Sequence, residues 1–345
     1  MIDLHTHLGG AVPASVLWEI LCESGLQTNF ESFEDLHEYV TVKPDQIKNL
    51  DDFLNGYFYA TELIQSSPRG AEVASYQAIA KARRRAGVTG VELRYNPLKR
   101  LRQGLHNLNA IILATIQGLQ KASQHYNVKT GIVLTMGKEF SLENNARIIE
   151  AAIRYRGHGI FGFAYGIVGV DMAGPESLRK DLDESWLKEI AVLTDKVRAA
   201  NLGITWHVGE TSLSGIEGME KVIKIIRPNR IGHGIELRHA QGAQKRRLIS
   251  LIKEAGILLE ICPSVNVVTK STRDFKEIAE FLILLDKHEI PFCLNTDSPY
   301  LISTNLKNEY DIMARELGSK APILQKAISY ADQKTFLNIK EEKVM

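Results

Sequence analysis

Eight short runs of apolar, β-branched residues recur along the chain, and most are followed by a stretch with helical periodicity. The runs are Ile2 to His5, Val91 to Tyr95, Gly131 to Thr135, Ile167 to Asp171, Gly203 to His207, Arg230 to His233, Leu258 to Cys262 and Phe292 to Asn295. The helical stretches include Leu108 to Gln124, Asn144 to Tyr155, Glu184 to Ala200, Gly215 to Ile226, Ala243 to Ala255 and Asp274 to Lys287. Parallel strands need crossover connections, and eight strand–helix units in series predict an α/β fold, a (β/α)8 TIM barrel. After the second run the strands start roughly 25 to 40 residues apart, the length of one crossover unit with its loops. The first interval breaks the rule. Residues 11–88 carry Pro13 to Glu23, Leu50 to Gln65 and Gly70 to Ala86, more helix than one crossover needs. The surplus predicts a helical insertion after the first strand, placed as a lid or substrate wall over the barrel mouth.

Composition narrows the class further. The 345 residues are 44% hydrophobic and 24% charged, a balance that supports one large buried core, and no linker or low-complexity stretch divides residues 1–345 into domains. Net charge is +1, which supplies no global field for nucleic acid or an anionic membrane, and the basic run Lys81 to Arg85 reads as the solvated side of a helix. No long apolar window predicts a membrane span. Three cysteines, Cys22, Cys262 and Cys293, are an odd count at wide spacing, without the pattern of a disulfide framework or a thiolate zinc site. With no leader pattern at MIDLHTHLGG, a reducing cytoplasmic setting is expected.

In barrel enzymes chemistry sits at the C-terminal ends of the strands, and the unusual residues of this chain fall there. His5 and His7 close the first run and, two apart on a strand, share a face. His207 ends the fifth run, His233 the sixth, and Asp297 lies just past the eighth. A lone histidine at a strand end is usually a structural hydrogen-bonding residue. Five such residues from four strands are a candidate metal site, and imidazole with carboxylate suits zinc. Glu210, three residues past His207 in TWHVGE, is a candidate general acid and base, with loop capping as the structural alternative. Arg94, Glu260 and Asp171 also end strands and are expected to bind one another. His37, His106, His125, His158, His239 and His288 lie away from strand ends and are expected at the surface.

The segments DLHTHLGG, ELRYNP, GVDMAGPE, TWHVGE, RIGHGIEL, LEICPSVN and LNTDSPYL, in this order over nearly the whole chain, resemble the adenosine deaminase family of the amidohydrolase superfamily. The resemblance implies that His5, His7, His207 and Asp297 hold one catalytic Zn2+ per chain. It implies that Glu210 protonates the ring nitrogen beside the reacting carbon, that His233 orients and deprotonates the attacking water, and that the backbone of Gly174 touches the purine. One metal is favoured over two, because the two-metal members of the superfamily bridge their ions with a modified Lys on a barrel strand and the fourth strand here carries Asp171.

Two positions depart from the family pattern, and both concern substrate. The family usually has a second Asp after the last ligand, where this chain has Ser298. Nucleoside-specific members carry an Asp two residues after the second His, where this chain has Gly9. Gly9, Ser298, Asp171 and Gly174 are thus the expected substrate-side residues, and the expected ligand is a small aminopurine-type molecule: adenosine or a 5′-substituted adenosine. A deaminase of a free base or another heterocycle, such as adenine or a pterin, is the alternative within enzymes. A ligand-binding relative without turnover is the alternative outside them, which Glu210 and His233 argue against.

Overall fold

The structure, a computed structural model, describes residues 1–26, 28–102, 104–157 and 164–338. Eight parallel strands follow one another around a barrel: β1 (Ile2–His7), β2 (Gly90–Tyr95), β3 (Lys129–Gly137), β4 (Ala164–Ala173), β5 (Gly203–Val208), β6 (Arg230–His233), β7 (Leu258–Ile261) and β8 (Phe292–Leu294). Strands buried on both faces must read as near-continuous apolar runs, and Gly131–Met136 of β3, a run without a charged residue, is buried throughout. The seam between β8 and β1 is closed just past β8, where the Asp297 amide donates to His5 O at 2.8 Å and the His7 amide to Asp297 O at 2.7 Å.

Helices return the chain between strands, and their starts are written locally. Ser141, Asp183 and Asp274 each accept a hydrogen bond from a first-turn amide, opening helices Leu142–Arg154, Glu184–Ala199 and Phe275–Lys287, as N-cap residues do. Between β1 and β2 lie helices Ala14–Ser24 and Phe33–Val40, a helical stretch Leu50–Ile64, and helix Pro68–Ala86. The Phe33–Val40 helix was not anticipated, although Ser32 and Asp35 form a reciprocal capping box at its start, a pattern visible in sequence. The stretch Leu50–Ile64 contains a five-residue π turn, Leu54–Phe58, and its side chains Leu50, Phe53, Leu54, Phe58, Tyr59 and Glu62 line the cavity at the barrel mouth. The basic run lies on Pro68–Ala86, with Arg84 and Arg85 exposed and stacked at 5.0 Å on Tyr126 and Tyr300 respectively. Among the described residues no helix is long and apolar enough to cross a membrane.

The barrel interior is charged in its middle and plugged at its base. Arg94 Nη2 meets Glu260 Oε2 at 2.9 Å and Arg94 Nη1 meets Asp171 Oδ2 at 3.4 Å, while Arg230 Nε meets Glu260 Oε1 at 2.7 Å, all fully buried. Below them Glu92 pairs with Arg230 and accepts from the Phe336 amide at 2.6 Å. Phe336 and Leu337 occupy the N-terminal ends of the strands, where Gly131, Gly169 and Gly203 leave room: a Cβ on Gly203 would lie 2.4 Å from the Phe336 ring.

Candidate active site

His5, His7, His207, His233 and Asp297 converge toward the C-terminal mouth, while Arg94, Glu260 and Asp171 pair with one another beneath them. The β1–β2 register slips between Asp3 and Thr6, an irregularity of the kind that re-aims side chains. His233 and Asp297 adopt positive φ, 64° and 58°, a conformation that β-branched residues resist and that recurs at functional sites. The result is a cluster of buried donors: His5, His7, His207, His233 and Asp297.

Hydrogen bonding sets which imidazole atoms are free. His5 Nδ1 lies 2.8 Å from Glu260 Oε2 and His207 Nδ1 lies 3.0 Å from Asp171 Oδ1. Burial alone would raise both carboxyls; Arg94 and Arg230 hold Glu260 well below its usual range, and His207 with Arg94 does the same for Asp171. Both acceptors are therefore ionised and each takes the Nδ1 proton of its histidine; Nε2 of His207 is left as a lone pair, whereas His5, lowered by burial and Arg94 but raised further by Asp297 and Glu260, frees its Nε2 when a cation takes the place of the proton there. His5 Nε2 is buried without a hydrogen-bond partner among the described residues, a costly arrangement unless something else binds there. Burial also drives His7 and His207 below the usual imidazole range, so they are neutral near pH 7.

Buried ligand atoms come within 4.8 Å of one another in three overlapping groups, His5 with His207 and His233, His5 with Cys262 and Asp297, and His7 with Asp171 and His207, and two of the donor pairs stand at the spacing of ligands on a small tetrahedral ion. His7 Nε2 and His207 Nε2 are 3.2 Å apart, and His5 Nε2 and Asp297 Oδ2 are 3.5 Å apart, whereas bonds of about 2.0–2.1 Å to a tetrahedral zinc would separate ligand atoms by about 3.3 Å. Burial raises Asp297, but His7, His5 and His233 outweigh it and keep the carboxylate ionised. Cys262 also reaches the cluster. Burial, then Asp297 and Glu260, push its thiol well up, so it stays protonated and is a poor competitor for the ion.

Two further groups face the cluster with protonation suited to chemistry. Glu210 is buried, and burial, Glu176 and Asp297 push its carboxyl well above the usual range, with Lys138 opposing. His233 is pushed well below its range by burial and by His5 and His207. Its Nε2 lies 3.5 Å from Glu210 Oε2 and 3.6 Å from Asp297 Oδ2. A carboxyl whose protonated form is favoured and a neutral imidazole therefore stand side by side at the wall of the cavity at the barrel mouth.

The expected substrate-side residues divide. Gly174 lines the cavity at φ +122°, with Glu139 Oε2 so near that a Cβ would collide at 2.4 Å. Ser298 is fully buried, does not line the cavity, and donates its hydroxyl to Asp297 Oδ1 at 2.7 Å. Asp171 sits behind His207, where it reaches the cavity only through that imidazole. Gly9 lies behind Phe58 and Glu62, which fill the space that a side chain there would take. The side chains of Asp171 and Ser298 are thus turned to the ligand cluster, and neither they nor Gly9 form part of the cavity wall. Of the histidines expected at the surface, His37, His125 and His239 are exposed, His106 and His288 are half-buried, and His158 lies outside the described residues.

Several site residues escaped the sequence reading. Glu176 accepts from the amides of Glu210 (3.2 Å) and Thr211 (2.8 Å) and from the hydroxyls of Thr211 and Ser214 (both 2.6 Å). Asn266 Nδ2 lies 3.1 Å from His233 Nδ1. Lys138 is buried between Asp181 (2.6 Å) and the carbonyl of His207 (2.9 Å). Lys99 pairs with Glu139 at 2.8 Å. Glu176 and Asn266 stand inside quoted motifs, GVDMAGPE and LEICPSVN, and their positions there were the available signal.

Comparison with known proteins agrees with this geometry. The family profile described as adenosine deaminase matches residues 1–345. An adenosine deaminase from Clostridium perfringens is 26% identical over 310 residues, 90% of this chain and 86% of the relative. The apo structure of an N6-methyl-AMP deaminase from Arabidopsis thaliana superposes with a TM-score of 0.75 at 25% identity, covering 97% of this chain and 91% of that one. An adenine deaminase from Arthrobacter aurescens, at 16% identity, shares the fold with a TM-score of 0.79 over 97% of this chain and 93% of its own.

Proposed function

Because the chain belongs to the adenosine deaminase family and is a hydrolytic deaminase acting on a C–N bond, we propose that it is a zinc-dependent deaminase of a 6-aminopurine nucleoside, releasing ammonia and the 6-oxo product. One observation carries the reading: Glu210, its carboxyl pushed well up by burial, and His233, its imidazole pushed well down, flank a buried cluster of His5, His7, His207 and Asp297 in which the His7–His207 and His5–Asp297 donor pairs stand at a spacing that suits zinc. When bound, zinc supplies the Lewis acidity that brings the pKa of water toward about 7 and makes a nucleophile available at neutral pH.

The residues of the chain do the rest. Glu210 donates its proton to the ring nitrogen beside the amine-bearing carbon, which makes that carbon electrophilic. His233, whose Nε2 faces Glu210 and Asp297, takes the proton of the attacking water, and Asn266, with its amide turned so that Oδ1 accepts from Nδ1, holds the ring from its other side and leaves Nε2 as the basic nitrogen. As the C–N bond breaks, the proton taken from water passes to the departing amine and the proton of the new hydroxyl restores Glu210, while the ring nitrogen keeps the proton it received, so water and amine become oxo product and ammonia. The Gly174 backbone at the cavity wall supplies a polar contact for the purine edge.

The test is ammonia release by protein of measured zinc content from adenosine, deoxyadenosine, 5′-substituted adenosines, adenine, cytosine and pterins. Turnover of a 6-aminopurine nucleoside is expected. Turnover confined to a free base or a pterin overturns the substrate class, and zinc-loaded protein inert on all of them overturns the proposed activity.

A further inference from the structure

Gly9 stands two residues past His7, just beyond the end of β1, and the space beside it is filled. A Cβ on Gly9 would lie 3.0 Å from Phe58 Cζ and 3.1 Å from Glu62 Cγ. Both side chains come from the helical stretch Leu50–Ile64 and both line the cavity. Glu62 is 3% exposed, and its Oε2 has no hydrogen-bond partner among the described residues. The nearest cation is Lys99 Nζ at 3.8 Å, beyond hydrogen-bond reach. A buried carboxyl oxygen left without a donor is costly, and this one belongs to a side chain that lines the cavity.

We propose that Glu62, carried on the helix over the mouth, is a substrate contact whose carboxyl gives this part of the cavity an acceptor for an uncharged hydrogen-bond donor, a sugar hydroxyl, and turns away a phosphorylated ligand. The inference rests on the nucleoside reading above. Charge around the subsite supports it. Lys99 is the one Lys or Arg among the described cavity-lining residues; it is already paired with Glu139 at 2.8 Å and lies 4.1 Å from the Tyr59 ring centroid. A phosphate would bring its charge against Glu62 and Glu139, the one lining cation is already paired, and Arg100, whose charge also bears on Glu62, is fully buried and not part of the cavity wall. Burial raises the Glu62 carboxyl, with Lys99 and Arg100 opposing, and in either protonation state its oxygens accept from a hydroxyl. The N6-methyl-AMP deaminase of similar fold is, by its name, a nucleotide enzyme, so the two chains are expected to part at this subsite.

The experiment compares adenosine, 5′-deoxyadenosine and AMP as substrates of the zinc-loaded full chain, with binding of inosine and IMP measured by calorimetry. The wild type is expected to favour adenosine over AMP by about 100-fold in kcat/KM, and inosine over IMP in binding. In Glu62→Ala the ratio of kcat/KM for adenosine to that for 5′-deoxyadenosine should fall about tenfold, the usual loss for a hydrogen bond to a charged group. Glu62→Gln, which keeps shape and a carbonyl acceptor, should retain that ratio and narrow the discrimination against AMP. AMP used as well as adenosine by the wild type overturns the inference, as does a Glu62→Ala loss equal for adenosine and 5′-deoxyadenosine. If none of the three substrates is deaminated, the activity proposal fails, and calorimetry still decides for Glu62: inosine binding weakened by Glu62→Ala upholds it, while unchanged or absent binding removes it.

Discussion

Glu210 and His233 are displaced in opposite directions by the same cause. Burial penalises charge, so it raises a carboxyl and lowers an imidazole, and the neighbours add to each shift: Glu176 and Asp297 repel a charged Glu210, while His5 and His207 repel a charged His233. The pair is therefore competent over a window between two ionisations. As pH falls through the depressed His233 pKa the base is lost, and as pH rises through the elevated Glu210 pKa the acid is lost, so kcat/KM should be flat across neutrality and decline on both sides. A profile that keeps rising through the alkaline range would remove Glu210 as the acid. Glu210→Gln preserves shape but cannot deliver a proton, and kcat should drop by about 10²- to 10⁴-fold while zinc content, read by elemental analysis, is unchanged. His207→Ala should do the reverse at the metal: with one of its lone pairs gone, the cluster should lose zinc, and full occupancy in that variant would contradict the ligand set.

At the scale of elements, the loop after β5 decides whether Glu210 points into the cavity, and that loop hangs on Glu176. Four donors from Glu210, Thr211 and Ser214 converge on its two oxygens, and such charge-assisted bonds are stronger than neutral ones. Glu176→Ala should leave those donors unpaired and lower kcat by about 10-fold or more with little change in KM or zinc content; Glu176→Gln, which retains one acceptor oxygen, should recover part of the rate. A variant whose KM alone rises would recast Glu176 as a substrate contact. The same loop shows what sequence can and cannot reveal. Strands β1 to β8 were legible because parallel strands buried on both faces must be apolar and continuous, and the strand-end histidines were legible because they interrupt those runs. The direction of Ser298 was not: it follows Asp297, whose positive φ turns the chain so that the hydroxyl meets Asp297 Oδ1. Nor was the filling of Gly9, since a π turn at Leu54–Phe58 rotates Phe58 and Glu62 into place and leaves no mark in helical periodicity.

Across the whole molecule, the site and the base of the barrel are separate constructions joined by the charged column of Arg94, Glu260, Arg230 and Glu92. At the base, Phe336 is pinned from three sides: its amide donates to Glu92, its ring lies 3.7 Å from the Arg230 guanidinium carbon, and Gly203 abuts its edge. A ring so held cannot retreat from a new methyl group. Gly203→Ala places a Cβ at 2.4 Å from three ring atoms in a strand position whose backbone suits alanine, so the whole cost is overpacking, about 1–3 kcal/mol. The denaturation midpoint should fall accordingly, while kcat of the folded protein and its zinc content stay at wild-type values, because Gly203 opens β5 and His207 lies at its far end. The cause can be isolated with Phe336→Ala. If the methyl and the ring collide, the double variant should be less destabilised than the sum of the singles, with a coupling of about 0.5–3 kcal/mol. Additive losses would mean that the base yields by backbone movement instead, and in that case the shift would be carried up the column through Arg230 and Glu260 to His5 and would appear as reduced zinc content in Gly203→Ala.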